Sequence, residues 1–309
     1  LAAGYPIVRV GVIDPSRESF NDLKEAGAEV VQFDWDSVDT CKGALEGVKS
    51  VFLSIPHHED WQNQFSTFLN EAKSAGVKHF VKLSFYHALA NYADEMGNFV
   101  QSVQHNDPFL KIPMVLMHRE IDFHLMKLPH TNGYNYTILF ASHFMSNPTV
   151  YQAEMIRKEH RFVGASNGKG VNYVSPNDVA EVALRSLLNP STHHRKYYTL
   201  TGPGPITDEE VASALGKRLN STVNYVDQPL EVFKTNSTGT DWGPWKDVAY
   251  LEMAKATGVE EAGTFATNDV DKVCGHPAET LDEYLEAQDV MTPQELAFLK
   301  PFEDSGTVR

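Results

Sequence analysis

The first two thirds of the chain alternate between short β-branched apolar runs and longer segments in which apolar residues recur at helical spacing. Runs of the first kind predict strands at residues 7–13, 28–33, 50–55, 79–84 and 136–140. Segments of the second kind predict helices at residues 17–26, 38–45, 61–75 and 117–128. Regular alternation of strands and helices is typical of an α/β protein, in which helices cover a parallel sheet.

The alternation weakens after residue 150. Here the pattern predicts helices at 179–188 and 207–219 and strands at 196–201 and 223–226, and residues 229–309 read as mostly helical and irregular. We therefore expect a nucleotide-binding domain over residues 1–150. The segment 151–309 is expected to complete the sheet and to form a smaller substrate-side lobe.

The exit of the first predicted strand shows where that strand belongs in the sheet. A dinucleotide site needs a strand, a tight glycine turn and a helix N-terminus aimed at the pyrophosphate. Here the strand leaves through Asp14-Pro15-Ser16-Arg17, with no G-x-x-G-x-x-G nearby. An exit loop of this kind is expected on the second strand. We therefore predict a Rossmann-type doubly wound parallel sheet whose first strand and glycine loop are absent from the chain, which corresponds to roughly twenty residues upstream.

Charge and composition exclude several functional classes. The chain carries 41 acidic against 26 basic residues, a formal charge of −15, and no basic cluster reverses this field locally. Nucleic acid is therefore not an expected partner. No apolar run approaches the length of about 18 residues that spans a membrane. The two cysteines, Cys41 and Cys274, lie far apart and predict reduced thiols, which favours a cytoplasmic location.

Eight segments follow one another in a recognisable order: LAAGYPIVRVGVIDPS, LKEAGAEVVQFDWDS, ALEGVKSVFLSIP, AGVKHFVKLS, YTILFASHFMSN, YVSPNDVAEVALRSLLNP, YYTLTGPGPITDEEVASALGKRLNSTVNYVD and VCGHPAETLDEYL. Together they resemble the NmrA-like family of atypical short-chain dehydrogenases/reductases, over nearly the whole chain. The resemblance implies NADP or NAD as cofactor, although the missing glycine loop weighs against binding by this chain. Some members of the family reduce quinones or dyes, and others are redox-sensing regulators.

The resemblance also implies cofactor positions at the ends of the first strands. Arg17 falls near the place of a 2′-phosphate. Ile13 matches a second position near this phosphate, where many relatives carry arginine. The other interpretation of Ile13 is a core or strand-end residue. The remaining implied contacts are Asp34 and Trp35 beside the adenine and Ser54, Ile55 and Pro56 beneath the ribose.

Typical short-chain dehydrogenases donate a proton through a serine and a Tyr-x-x-x-Lys pair. Ser84, at the end of its predicted strand, matches the family serine, but Met114 and His118 occupy the tyrosine and lysine positions. Because methionine has no proton to donate, we expect no tyrosine–lysine relay. We place His118 at the start of a helix. It either contacts the ribose or the substrate, or is bonded only to backbone and solvent.

Further side chains follow the predicted strands and are expected at the same crevice. Tyr86, His87 and His143 are candidate proton donors, with pocket lining as the other interpretation. The substrate-side loop of the family matches Phe144, Met145 and Asn147, which suits a flat quinone-like or aromatic ligand.

The thirteen histidines include adjacent pairs at His57-His58 and His193-His194 but no H-x-x-x-H spacing, and we expect no metal. The sequence thus predicts an NAD(P)H-dependent oxidoreductase that transfers hydride to a quinone-like or aromatic acceptor, with protonation from solvent or a histidine. The alternative is a non-catalytic redox sensor or assembly subunit that binds, or has lost, the dinucleotide. A homodimer or a protein partner is compatible with either hypothesis.

Overall fold

The computed structural model describes residues 7–56, 58, 60–86, 113–129, 133–233, 255 and 266–287. The strands in these residues are β1 Arg9–Val12, β2 Glu29–Gln32, β3 Ser50–Leu53, β4 His79–Phe85, β5 Asn135–Ala141, β6 His143–Phe144, β7 Arg161–Gly164, β8 Val171–Val174, β9 Lys196–Leu200, β10 Pro205–Ile206 and β11 Asn224–Asp227. The helices are α1 Asn21–Glu25, α2 Val38–Leu45, α3 Trp61–Ser74, α4 Pro113–Met126, α5 Asn147–Glu159, α6 Pro176–Leu188, α7 Pro190–His193, α8 Asp208–Leu219, α9 Asp269–Cys274 and α10 Leu281–Ala287.

The centre of the fold is a parallel four-stranded sheet in the order β3-β4-β5-β9. The strands β1 and β2 form a second parallel pair, with Arg9 opposite Glu29. The prediction of parallel strands alternating with helices is therefore confirmed. The prediction that a first strand is absent from the chain stays a prediction.

Both faces of the central sheet are buried, which explains its continuous apolar strands. Phe80 and Tyr136 face the core formed with α3 and α4, whereas Val81 and Leu139 face the core formed with α6 and α9. Successive residues of a strand point to opposite faces. Side chains that follow the parity of Phe80 along β4 therefore point toward α4.

The later residues add short strands and a further core. β11 pairs with β7 in parallel, and β8 lies between β6 and β10. A cluster that includes Phe162, Tyr173 and Leu215 packs between these strands and α8. The predicted β9, β11 and α8 are present, while the sequence did not predict β6, β7, β8, β10 or α5. The division into two domains near residue 150 stays a prediction.

Two predicted helices differ from the structure. α4 begins at Pro113 rather than at residue 117, so His118 lies inside the helix and the prediction that it opens the helix is wrong. In place of a helix over residues 17–26 there is a 3-10 turn, Glu18–Phe20, followed by the short α1. Neither of these two elements has a side-chain cap at its N-terminus, and neither has a buried residue. Most of the predicted helical segment 229–309 lies outside the described residues. Among the described helices, none has the length and apolar character needed to cross a bilayer.

Candidate functional site

The carboxyl ends of the parallel strands carry the side chains that the sequence assigned to the cofactor. In parallel α/β sheets this edge is where ligands bind. Asp34 and Trp35 follow β2, and the segment 54–56 follows β3. Ser54 and Pro56 are exposed, whereas Ile55 is buried in the core next to α3 and α4. In this segment the side chains that face outward are therefore Ser54 and Pro56.

The loop after β2 is fixed by its own hydrogen bonds. The backbone N–H of Asp36 donates to Oδ1 of Asp34 at 3.0 Å, and the N–H of Asp34 donates to the Thr40 hydroxyl at 3.0 Å. Gln64 of α3 donates to Oδ1 of Asp36 at 2.7 Å. The loop therefore holds Asp34 in one position at the strand end.

Trp35 is held by aromatic neighbours. Its ring lies 5.0 Å from Phe33 in an edge-to-face arrangement and 5.2 Å from Phe68 of α3. Contacts of this geometry stabilise the position of the indole beyond simple burial. The half-buried Trp35 thus forms a fixed apolar surface beside the Asp34 loop.

The exit of β1 presents one arginine and an exposed apolar side chain. Arg17 is exposed, and its Nε lies 3.8 Å from Oδ2 of Asp14. Ile13 is 70% exposed, so its interpretation as a core residue is wrong and its interpretation as a residue at the strand end remains. An exposed ion pair of this length stabilises little, so Arg17 can exchange Asp14 for another anion.

A buried polar cluster lies between β4 and α4, formed by Lys82, Ser84, His118 and Asp122. Lys82 and Asp122 are completely buried, with Nζ of Lys82 2.8 Å from Oδ1 of Asp122. The hydroxyl of Ser84 donates to Oδ2 of Asp122 at 2.5 Å. Nζ of Lys82 also lies 3.0 Å from Nδ1 of His118. We call these four residues the Lys82–Asp122 cluster.

Two simple spacings bring the cluster together. Lys82 and Ser84 are two residues apart on β4, and so both point to the α4 face. His118 and Asp122 are four residues apart on α4, and so they lie on the same face of the helix, toward β4. The packing of α4 on β4 therefore places two polar pairs opposite each other inside an apolar core.

Burial shifts the proton affinities of the ion pair in opposite directions. Loss of solvent lowers the pKa of Lys82, and the adjacent carboxylate of Asp122 opposes this shift. Loss of solvent likewise raises the pKa of Asp122, against the attraction of Lys82 and the hydrogen bond from Ser84. These two shifts bring the charged and the neutral forms of the Lys82–Asp122 pair closer in free energy. Shifted pKa values of this kind are common at functional sites.

The charged form of the pair favours one tautomer of His118. With Lys82 and Asp122 as an ion pair, the ammonium has only donors, and Nδ1 of His118 is then the acceptor of the contact at 3.0 Å. A neutral imidazole that accepts at Nδ1 carries its hydrogen at Nε2. In this tautomer the half-buried His118 carries its N–H at Nε2, and the buried Lys82 fixes the other ring nitrogen.

Sequence reasoning identified Ser84 and His118 but missed Lys82 and Asp122. A lysine in a predicted strand is usually solvent-exposed, and one acid in a helix is unremarkable. Two features of the sequence could have indicated the cluster. One is Lys82-x-Ser84 in a strand with both faces buried, and the other is Asp122 four residues after His118 on the following helix.

The other candidates lie in or next to the cores. Tyr86 is buried next to α3 and α4, and His143 is buried in β6 with its ring 5.8 Å from that of Tyr173. Met145 is buried in the core that includes Phe162. Phe144 packs against the core beneath α6, and Asn147 begins α5. His87 lies outside the described residues. The roles assigned to these six residues stay predictions.

Comparison with known proteins agrees with the fold. The chain is 28% identical over 267 residues to an NAD(P)H azoreductase of Xenophilus azovorans, covering 86% of this chain and 84% of the relative. A crystal structure of an NADPH-dependent quinone oxidoreductase of Escherichia coli in complex with NADPH superposes with a TM-score of 0.66 at 22% identity, over 90% of this chain and 89% of the other. The triphenylmethane reductase of a Citrobacter species, in complex with NADP(H), superposes with a TM-score of 0.65 at 19% identity, over 90% and 89% of the two chains.

The two structural comparisons show the Rossmann-type fold. The sequence profile of the NmrA-like family matches residues 1–290, which is most of the chain and includes β4, α4 and the Lys82–Asp122 cluster. The chain belongs to the NmrA-like family.

Proposed function

We propose that this protein is an NAD(P)H-dependent oxidoreductase that transfers hydride to a quinone-like or other aromatic acceptor. The observation that carries the proposal is the Lys82–Asp122 cluster, in which a buried lysine of β4 contacts the imidazole of His118 on α4. Similarity to an NAD(P)H azoreductase and to quinone oxidoreductase 2 of Escherichia coli, 25% identical over 266 residues, supports this class of acceptor.

The residues at the strand ends fit a dinucleotide. The fixed Asp34 carboxylate can accept from ribose hydroxyls, and Trp35 offers an apolar surface to an adenine ring. Ser54 and Pro56 face the same edge, and Arg17 is available to a 2′-phosphate. When bound, the reduced nicotinamide supplies the hydride.

The chain's own part in the reaction is binding and proton donation. We assign to Nε2–H of His118 a hydrogen bond to the ribose or to the acceptor atom that receives the proton. Lys82 keeps the ring in this tautomer, and Asp122 and Ser84 hold Lys82 in place. Met114, at the position of the usual tyrosine, packs half-buried against the core and donates no proton.

A dinucleotide-binding regulator without turnover is the second candidate. The observation that favours it is the same Met114, because a thioether at the usual proton-donor position removes the orthodox catalytic group. Both candidates bind the dinucleotide, but only the oxidoreductase turns over an acceptor.

The test begins with calorimetric titration of the protein with NADPH and NADH. It continues with anaerobic oxidation of the preferred coenzyme by a series of quinones and an azo dye. We expect binding together with turnover. The variant His118→Asn is expected to lower kcat/KM by about 100-fold or more, the usual contribution of a positioned acid or base.

His124→Asn is the matched control, because His124 is an exposed histidine on the same helix. It is expected to retain the activity of the unmodified protein. Tight coenzyme binding without turnover on any acceptor favours the regulator. Absence of coenzyme binding contradicts both candidates, and full activity in His118→Asn contradicts the role of His118.

A further inference from the structure

Three side chains with metal-binding atoms meet on the sheet face opposite α4. Glu181 lies on α6, Cys274 is the last residue of α9, and His276 follows two residues later. A carboxylate oxygen, the thiol sulfur and an imidazole nitrogen of these residues all lie within 4.8 Å of one another. We call these residues the Glu181–Cys274–His276 cluster.

Packing of α9 on α6 places the cluster. Cys274 is buried in the core beneath α6, with Val182 and Val270 among its members. Gly275 then adopts a φ of +80°, a conformation that favours glycine and ends the helix. The chain turns back at this point and brings His276 beside Cys274, against Glu181.

The histidine ring is oriented by the backbone. Nδ1 of His276 lies 2.8 Å from the carbonyl oxygen of Pro277, to which it donates, and Nε2 lies 3.0 Å from Oε2 of Glu181. Since both ring nitrogens face acceptors, a proton on Nε2 joins the two side chains in this structure. A carbonyl that fixes Nδ1–H is also the usual outer support of a histidine that binds metal through Nε2.

The carboxylate of Glu181 is supported in a similar way. Its other oxygen, Oε1, accepts from Nε and Nη2 of Arg185 at 2.9 and 2.6 Å. An ion at Oε2 takes the place of the proton shared with His276. Arg185 also contacts the sulfur of Cys274, and an ion must replace that contact. Asp178 lies close enough to act electrostatically on Cys274 and His276, and it adds negative charge.

We propose that Glu181, Cys274 and His276 bind one zinc-class divalent ion, with water or another exchangeable ligand in the fourth position. Sulfur, nitrogen and oxygen donors together suit Zn²⁺ or Co²⁺ and do not suit the oxygen-seeking Ca²⁺ or Mg²⁺. Binding releases the thiol proton and the Nε2 proton to solvent. The ion ties the end of α9 to α6, away from the Lys82–Asp122 cluster on the other face of the sheet.

The test is titration of the chelator-treated protein with Co²⁺ and with Zn²⁺. We expect one ion per chain, and for Co²⁺ a near-ultraviolet charge-transfer band from the thiolate. Cys274→Ser should lose this band, and His276→Asn and Glu181→Gln should each weaken binding by about ten-fold or more. His276 is exposed, and its substitution leaves the core intact.

Cys41→Ser is the matched control, since Cys41 is the other buried cysteine and lies in a different core. It should keep the band, and Zn²⁺ should raise the Tm of the unmodified protein and of Cys41→Ser but not of Cys274→Ser. Lack of saturable one-to-one binding in the unmodified protein would overturn the proposal. So would a charge-transfer band that persists in Cys274→Ser, or binding that His276→Asn and Glu181→Gln leave unchanged.

Discussion

At the scale of single residues, the most informative side chain is Lys82. A lysine is almost never fully buried unless it is paired, and in Lys82 the pairing comes from Asp122 and His118 on the neighbouring helix. The sequence identified Ser84 and His118 through position in a family pattern. It could not identify Lys82 and Asp122, because their importance depends on α4 packing over β4.

The ion pair gives a prediction for Lys82→Met. The variant leaves the carboxylate of Asp122 buried without its cation, and removal of one partner from a buried pair costs about 3–5 kcal/mol of unfolding free energy. Urea denaturation at pH 7 measures this loss.

The double variant Lys82→Met/Asp122→Asn tests the cause. It contains no buried charge at this position, and the carboxamide oxygen that replaces the carboxylate still accepts from Ser84, so part of the lost stability should return. A double variant whose loss equals the sum of both single losses would show that the pair does not interact.

At the scale of elements, prediction succeeded where the helical periodicity of apolar residues was long enough to be clear. The helix over residues 38–45 matches α2 at both ends, and Ser37 accepts from the N–H of Thr40 as its cap. The missed β6 and β10 contain two residues each, too few to show alternation. Both are strands because they pair with β8, which lies between them.

The start of α8 allows a quantitative prediction. Thr207 and Glu210 form a reciprocal capping box, in which each side chain accepts from the other's backbone N–H. Thr207→Ala should lower the unfolding free energy by about 1 kcal/mol, as measured by denaturant titration. Glu209→Gln in the same exposed turn removes only an interaction with the helix dipole and should cost a few tenths of that. Equal losses in both variants would rule out the cap as the cause.

At the scale of the whole molecule, the alternation of elements predicted the class of fold, and the order of eight weak segments predicted the family. Neither signal predicts how the helices pack on the two faces of the sheet. The Lys82–Asp122 cluster lies on one face and the Glu181–Cys274–His276 cluster on the other. Each cluster combines residues that are distant in sequence. Local spacing along the chain therefore could not predict that these residues lie together.

A buried histidine links the stability of the whole fold to pH. His79 of β4 is 1% exposed and faces the side of α6 and α7, where its neighbours are the backbone of Ser186 and the imidazoles of His193 and His194. Burial is the main cause that lowers the pKa of His79 to about 4; the backbone of Ser186 opposes this shift, and His193 and His194 add to it. The folded protein therefore keeps this ring neutral in mildly acidic solution.

The sign of the pH effect follows from proton binding. Between pH 6.5 and about 4 the unfolded chain protonates His79 and the folded protein does not, so acid favours unfolding in this window. The difference amounts to about 3 kcal/mol lost from pH 7 to pH 4. His79→Gln should flatten the dependence of unfolding free energy on pH by this amount, whereas His124→Gln, at an exposed position, should not change it. If His79→Gln keeps the slope of the unmodified protein, another group causes the acid sensitivity.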